Sequence, residues 1–299
     1  MRREHVHLDK LSGLPAIHFA VFLFGASGLF GELISLPAPL ITLGRVVSAA
    51  LFLALIIRLF RIPFKIHNRS DLGGFILAGL LLAFHWSAFF HSIQIAGVAV
   101  GVLTFATFPA FTAFLEPLFF REKIRPVNLL WACICLLGVS LVVPAPEAGL
   151  QNAEGVLWGI GSGLSFSLLT LLNRRYTALY SHFTLTFYEC AVAALCLLPS
   201  VLLFDFSPPA PADWVYLIIL GSVFTALAHA LFIAGMRSIK AQIASIIAGL
   251  EPVYGIILAW LILGESISAQ TAFGAIIILS AAYGASRKRR ARKAANPSL

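Results

Sequence analysis

The sequence predicts an all-α integral membrane protein: ten transmembrane helices, built as two five-helix inverted-topology repeats around a central cavity. Three observations carry that expectation. Of 299 residues, 60% are hydrophobic and 11% charged, against about a quarter charged in a soluble domain. The chain therefore cannot clothe a water-facing surface, and a soluble enzyme is excluded first. Its basic residues, Arg45 apart, fall on the two termini and alternate connections, and its second half repeats the first.

Apolar runs between breakers place the helices at 14–36, 40–60, 72–95, 98–120, 127–143, 153–173, 182–204, 214–236, 241–263 and 269–286. Each approaches the ~20 residues that cross ~30 Å of hydrocarbon. Residues 1–13 then form a cytoplasmic N-terminal tail, 14–143 the first repeat, 144–152 an external linker, 153–286 the second repeat and 287–299 a basic cytoplasmic tail. Arg2-Arg3 ahead of an apolar stretch mimics a signal peptide. The stretch is too long for an h-region and nine spans follow, so it reads as the first helix.

With the N-terminus cytoplasmic, the inner segments hold Arg2, Arg3 and Lys10; Arg58, Arg61, Lys65 and Arg69; Arg121, Lys123 and Arg125; Arg174 and Arg175; Arg237 and Lys240; and the cluster Arg287–Lys293. Only Arg45 among the 21 Lys and Arg lies elsewhere. This positive-inside bias puts both termini in the cytoplasm of an inner-membrane protein. The tail SRKRRARKAANPSL reads as a disordered end drawn to lipid headgroups, not as a nucleic-acid site. Cys133, Cys135, Cys190 and Cys196 sit in apolar runs without a CxxC pair or His partner, and read as buried inert thiols.

The repeat is legible in three places. Pro109 precedes Glu122 by 13 residues in FPAFTAFLEPLFFREKI, as Pro252 precedes Glu265 in EPVYGIILAWLILGESI, at an offset of 143. RVVSAALFLAL at Arg45 aligns with ECAVAALCLLP at Glu189, offset 144, and Ser27-Gly28-Leu29 with Ser162-Gly163-Leu164, offset 135. An odd number of helices per copy inverts the second copy. In inverted-repeat transporters the substrate site lies near the midplane between the halves.

These features together resemble the EamA-type drug/metabolite transporter superfamily over about residues 14–286. The aromatic-rich helices resemble its aromatic amino-acid exporter (YddG-like) branch. The resemblance implies a cavity lined by helices 1, 3, 4, 6, 8 and 9, with 2, 5, 7 and 10 peripheral, and it implies export from the cytoplasm.

Several intramembrane residues are candidates for the site. Pro109 and Pro252 interrupt their helices and free the carbonyls of Phe105 and Ala248; these either accept a hydrogen bond from a substrate ammonium or merely shape a kink. Glu251 beside Pro252 is costly in hydrocarbon unless protonated or paired. It binds a cationic amine, carries a coupling proton, or is held by a neighbouring helix. Arg45 and Glu32, at similar depth, read as a structural ion pair, the alternative for Arg45 being a substrate carboxylate. Glu189 is matched with Arg174 or Arg175, and Glu116 with Arg121 and Lys123. Glu122 and Glu265 are assigned to the N-terminus of the helix that follows each.

His85 near the midplane, His91 toward the exterior, and His229 on a stripe with Gly221 and Thr225 can donate a hydrogen bond to a carboxylate, the alternative being satisfied structural histidines. Phe84, Trp86, Phe105, Phe108 and Trp158 are the aromatic candidates, with Gly155, Gly159 and Gly163 near Trp158 suited to close packing. Trp214 and Trp260 read as interface anchors. The expected substrate-binding set is His85, Trp86, Phe105, Phe108, Trp158, Thr225, His229 and Glu251.

The functional expectation is an alternating-access secondary transporter that exports small amphipathic solutes, amino acids including aromatic and other neutral ones. Other metabolites or cationic drugs on the same fold are the alternative. Phosphorylated sugars would demand several cavity cations, and only Arg45 is available. A distant third reading is an intramembrane serine protease using Ser27, within Gly25-Ala26-Ser27-Gly28, and His229. No Walker motif, metal-binding carboxylate pair or HExxH occurs, so no cofactor or metal is expected. Partners are a small-molecule substrate and the lipid bilayer; proton coupling through Glu251 or His85, uncoupled flux and the oligomeric state stay open.

Overall fold

A first helix, α1 (Leu14–Ser27), passes through a tightened turn at Gly28 and Leu29 into the single turn α2 (Phe30–Leu33). The computed structural model describes residues 13–121, 126–142, 150–239 and 241–295, and every regular element among them is helical. The first half continues with α3 (Ala38–Leu59), α4 (Arg69–Phe105), α5 (Phe108–Phe119) and α6 (Pro126–Val142). The second half holds α7 (Leu150–Tyr176), α8 (His182–Leu197), α9 (Ser200–Leu203), α10 (Pro211–Gly221), a π-helical turn at Ser222–Leu227, and α11 (Ala228–Gly235). It ends with α12 (Ala241–Ala248), α13 (Glu251–Leu263) and α14 (Ala269–Ala295).

Six helical stretches among the described residues are long and apolar enough to cross a membrane: Leu14–Leu33, Ala38–Leu59, Arg69–Phe105, Ala153–Tyr176, His182–Leu203 and Pro211–Gly235. Burial runs opposite to that of a soluble protein. Leu51, Leu55, Leu59, Leu202, Trp260 and Leu261 are exposed, whereas Arg45, His85, Glu189, His229 and Glu251 are buried. Such a surface is stable only against hydrocarbon.

α4 is two helices joined at one residue. Gly97 has φ 84° and ψ 162°, a combination open to glycine alone. In a straight helix residues 93 and 101 would stand ~12 Å apart. Here a β-carbon on Gly101 would lie 3.3 Å from the backbone nitrogen of Ile93, so the chain folds back at Gly97. The new N-terminus is capped from the far half: Glu265 accepts hydrogen bonds from the N–H groups of Val98 (3.0 Å) and Ala99 (3.4 Å). Glu265 therefore stabilises an N-terminus, but that of the arm at Val98 and not that of α14. Glu122 lies outside the described residues.

Neither Pro109 nor Pro252 kinks a continuous helix. Each is the second residue of a new one, α5 and α13, after a two-residue break, where its missing N–H costs nothing. The Phe105 carbonyl faces α7: a β-carbon on Gly163 would come within 2.9 Å of it.

Close approaches at glycine join the two halves reciprocally. Gly79 of α4 packs on the backbone of α8 at Glu189, and Gly221 of α10 on the backbone of α3 at Arg45. Gly25 of α1 packs at the start of α13, and Gly163 of α7 at the start of α5. Gly155 and Gly159 continue the α7 stripe along α4. The backbone of α14 runs on as helix through Ala295, correcting the disordered tail as far as that residue: Arg, Lys and Ala favour helix and no breaker occurs before Pro297. Cys190 is buried, but Cys133 and Cys196 are exposed on the apolar exterior.

Candidate functional site

Five elements converge on a narrow cavity. α1 contributes Phe24 and Ser27; α4 contributes His85, Trp86, Phe89 and Phe105; α7, α11 and α13 add Phe166, His229 and Glu251. It has room for no more than about one water molecule, so this conformation holds no space for a solute.

Its wall is mostly aromatic. Phe166 centres the cluster, 4.8 Å from the His85 ring, 5.5 Å from Phe105 and 5.1 Å from Phe108. Phe105 stacks on Phe108 at 5.0 Å and an interplanar angle of 23°. Such contacts hold flat apolar walls in fixed orientation.

Polar groups are fixed from behind the rings. Ser162 of α7 donates to the His85 carbonyl at 3.0 Å and meets His85 Nδ1 at 2.8 Å. The network assigns the Nδ1 proton to His85, leaving Nε2 as the acceptor nitrogen of the ring. His229 Nε2 lies 2.7 Å from Glu189 Oε2, both side chains sealed from solvent. Arg45 is 0% exposed; its Nε donates to Thr225 Oγ1 at 2.9 Å and its guanidinium lies 3.8 Å from the Trp86 ring centroid. Thr225 sits in the π-helical turn and donates in turn to the Leu220 carbonyl. π-turns recur at functional sites because the freed carbonyls need new partners.

Ties between the halves close the bundle at both ends, which the arm 69–96 of α4 sets about 40 Å apart. At one end, Glu265 caps Val98 and Asp213 accepts from the Ser35 N–H. At the other, the Tyr180 hydroxyl donates to Asp71 Oδ2 at 2.6 Å and accepts from the His67 N–H; Thr184 and Tyr188 donate to the carbonyls of Pro63 and Phe64. Burial first, and then the bond to Asp71, raise the Tyr180 phenol above its ordinary pKa. Arg174 of α7 pairs with Glu116 of α5.

Five of the eight residues expected to meet substrate line the cavity: His85, Trp86, Phe105, His229 and Glu251. Phe108 stands one layer behind, and Thr225 behind Trp86 through Arg45. Trp158 and Phe84 do not belong to it. Both are partly exposed on the outer surface, where Trp158 donates to Glu154 and touches Phe84 and His91. The glycine stripe of α7 takes the inward face, which turns Trp158 outward.

The Glu32–Arg45 ion pair does not form: Glu32 is exposed, while Arg45 is buried against Thr225, Trp86 and Phe90. Glu189 pairs with His229, not with an arginine, and Glu116 takes Arg174. Helices α3 and α8 thus send their charges inward, although the family resemblance made them peripheral. Ser27 and His229 share the cavity wall, yet no hydrogen bond joins them, and His229 Nε2 is engaged by Glu189. A nucleophile and its base need that bond. Sequence reasoning missed Phe24, Phe166, and Ser162 as the partner of His85. The depth of Glu189 was recoverable, since Arg45 and Glu189 share the offset of 144 with His85 and His229.

The profile of the EamA-like transporter family matches the chain twice, over residues 11–143 and 153–287. The uncharacterized transporter YxxF of Bacillus subtilis (strain 168) is 24% identical over 84% of this chain and 81% of its own length. An S-adenosylmethionine uptake transporter of Rickettsia bellii (strain RML369-C) is 28% identical over 69% of each chain. A crystal structure shares the fold, with a TM-score of 0.68 at 17% identity, covering 91% of this chain and 96% of that one.

Proposed function

This chain belongs to the EamA-like transporter family, and on that premise we propose that it is an alternating-access secondary transporter of small amphipathic, amino-acid-like solutes, aromatic ones included. One observation carries the reading: a narrow cavity with aromatic walls and a single acidic side chain, Glu251, in its lining. The rings suit an apolar or aromatic side chain and Glu251 an ammonium group. We read the chain as ten crossings in two inverted repeats. The double profile match, the hairpin at Gly97 and the reciprocal glycine contacts support this reading.

Two sets of ties at opposite ends are what alternating access requires: opening one while keeping the other exposes the cavity to one phase at a time. The distribution of Lys and Arg orients both termini to the cytoplasm of the inner membrane, and export is the direction we assign. Reconstitution tests this reading. Proteoliposomes loaded with phenylalanine should show exchange accelerated by tryptophan, tyrosine and leucine. Acceleration by paraquat-like cations alone would replace the reading with a cationic-drug carrier.

The S-adenosylmethionine uptake relatives favour a second reading, in which a larger amino acid with a cationic centre is taken up. Exchange with S-adenosylmethionine but not with phenylalanine would select it. If Glu251 carries a coupling proton, Glu251→Gln abolishes flux driven by an imposed pH gradient; unchanged flux assigns the coupling elsewhere.

A further inference from the structure

Arg45 is the one basic residue within the expected spans away from their cytoplasmic ends, and the structure removes the carboxylate that was to neutralise it. Among the described residues no carboxylate pairs with it at ion-pair distance. Nε has a firm acceptor in Thr225 Oγ1; Nη2 has only the Phe224 carbonyl at 3.5 Å; Nη1 has no protein partner although it is buried. A guanidinium carries five donors, and leaving them unmet inside a bundle is costly unless a partner arrives.

Its position indicates where that partner comes from. The guanidinium carbon lies 3.8 Å from the Trp86 ring centroid, and that indole is itself part of the cavity wall. Glu251, contributed by α13, also lines the cavity and stands within electrostatic reach of Arg45. A cation behind one wall and a carboxylate in another set a field across the cavity that matches a zwitterion. The acceptor on Nε sits on the π-helical turn at Ser222–Leu227, the irregular turn of that span, and comes from the opposite half of the chain. Arg45 is thus held by a contact that relative motion of the halves changes.

We infer that Arg45 is the carboxylate anchor of this carrier, covered by Trp86 in the closed state and opposed by Glu251 at the ammonium end. The inference rests on the amino-acid-like reading above and narrows it to zwitterions. Trp86 screens the guanidinium through its ring face until a solute carboxylate takes the free Nη edge.

The test compares phenylalanine with phenethylamine, the same skeleton without the carboxylate, as initial fluxes into proteoliposomes holding the full chain. The unmodified protein prefers phenylalanine. In Arg45→Gln the phenylalanine-to-phenethylamine ratio falls about ten- to a hundredfold, the scale of a charge-assisted hydrogen bond. Arg45→Lys, which keeps the charge but loses the fork, also lowers the ratio, and it serves where Arg45→Gln fails to reconstitute. An unchanged ratio in either variant overturns the anchor while the transporter reading stands. No flux of either compound in the unmodified protein overturns both.

Discussion

His229 Nε2 of α11 and Glu189 Oε2 of α8 meet at 2.7 Å in the interior of the bundle, 40 residues apart in the chain and both sealed from solvent. The bond ties the cavity wall to a helix that has no side chain in the cavity lining. Removing one partner leaves the other polar and unpaired in a low-dielectric interior. Glu189→Ala is expected to lower stability by about 3 kcal/mol, measured as thermal unfolding of the purified protein in detergent. The double variant Glu189→Ala, His229→Ala should lose less than the two singles summed; strict additivity would mean that the pair is idle.

Gly97 and Glu265 make one device from the two halves of the chain. The positive φ at Gly97 turns α4 back, and the Glu265 carboxylate caps the arm that begins at Val98. Gly97→Ala should cost about 1–3 kcal/mol from backbone strain, and Glu265→Ala about 1 kcal/mol from the lost cap. Melting temperatures ordered the other way would contradict this account.

Transport should separate two aromatic residues that look alike in sequence. Phe166 is buried in the cavity wall and Trp158 is partly exposed outside it. Phe166→Ala should weaken the apparent affinity for phenylalanine by about tenfold, the loss of a large apolar contact. Trp158→Ala should change it by less than about twofold in the same flux assay. Equal effects would place Trp158 in the path.

The Tyr180–Asp71 tie predicts a response to alkali. Folding raises the Tyr180 phenol above its unfolded value, so the protonated form stabilises the fold. That contribution is complete below the ordinary tyrosine value, near 10, and is lost as pH rises through the higher folded value. Unfolding in detergent followed from neutral pH to pH ~11 should therefore show a decline that Tyr180→Phe removes. A decline of the same size in that variant would assign it to other groups.

Much of the molecule was legible before any coordinates. Long apolar runs with few charges inside them leave helices as the way a single segment can satisfy its backbone groups in lipid. The second copy of Pro109 and Glu122, at Pro252 and Glu265, marked the paired helix breaks. His85, Trp86, Phe105, His229 and Glu251 were chosen on depth and residue type, and they do line one cavity.

Partners were not legible. Depth matched Arg45 with Glu32, yet rotation about α3 carries the guanidinium inward to Trp86 and Thr225. Trp158 shares a helix with the glycine stripe and still faces outward. The physical reason is common to both. Amphipathic helices announce their buried face through periodicity, whereas these spans are apolar on every side because lipid replaces water outside. Composition and repetition therefore marked an all-helical membrane protein whose halves match one family model each, and close glycine contacts between the halves decided which faces of α1, α4, α7 and α10 turn inward and hence which buried groups meet.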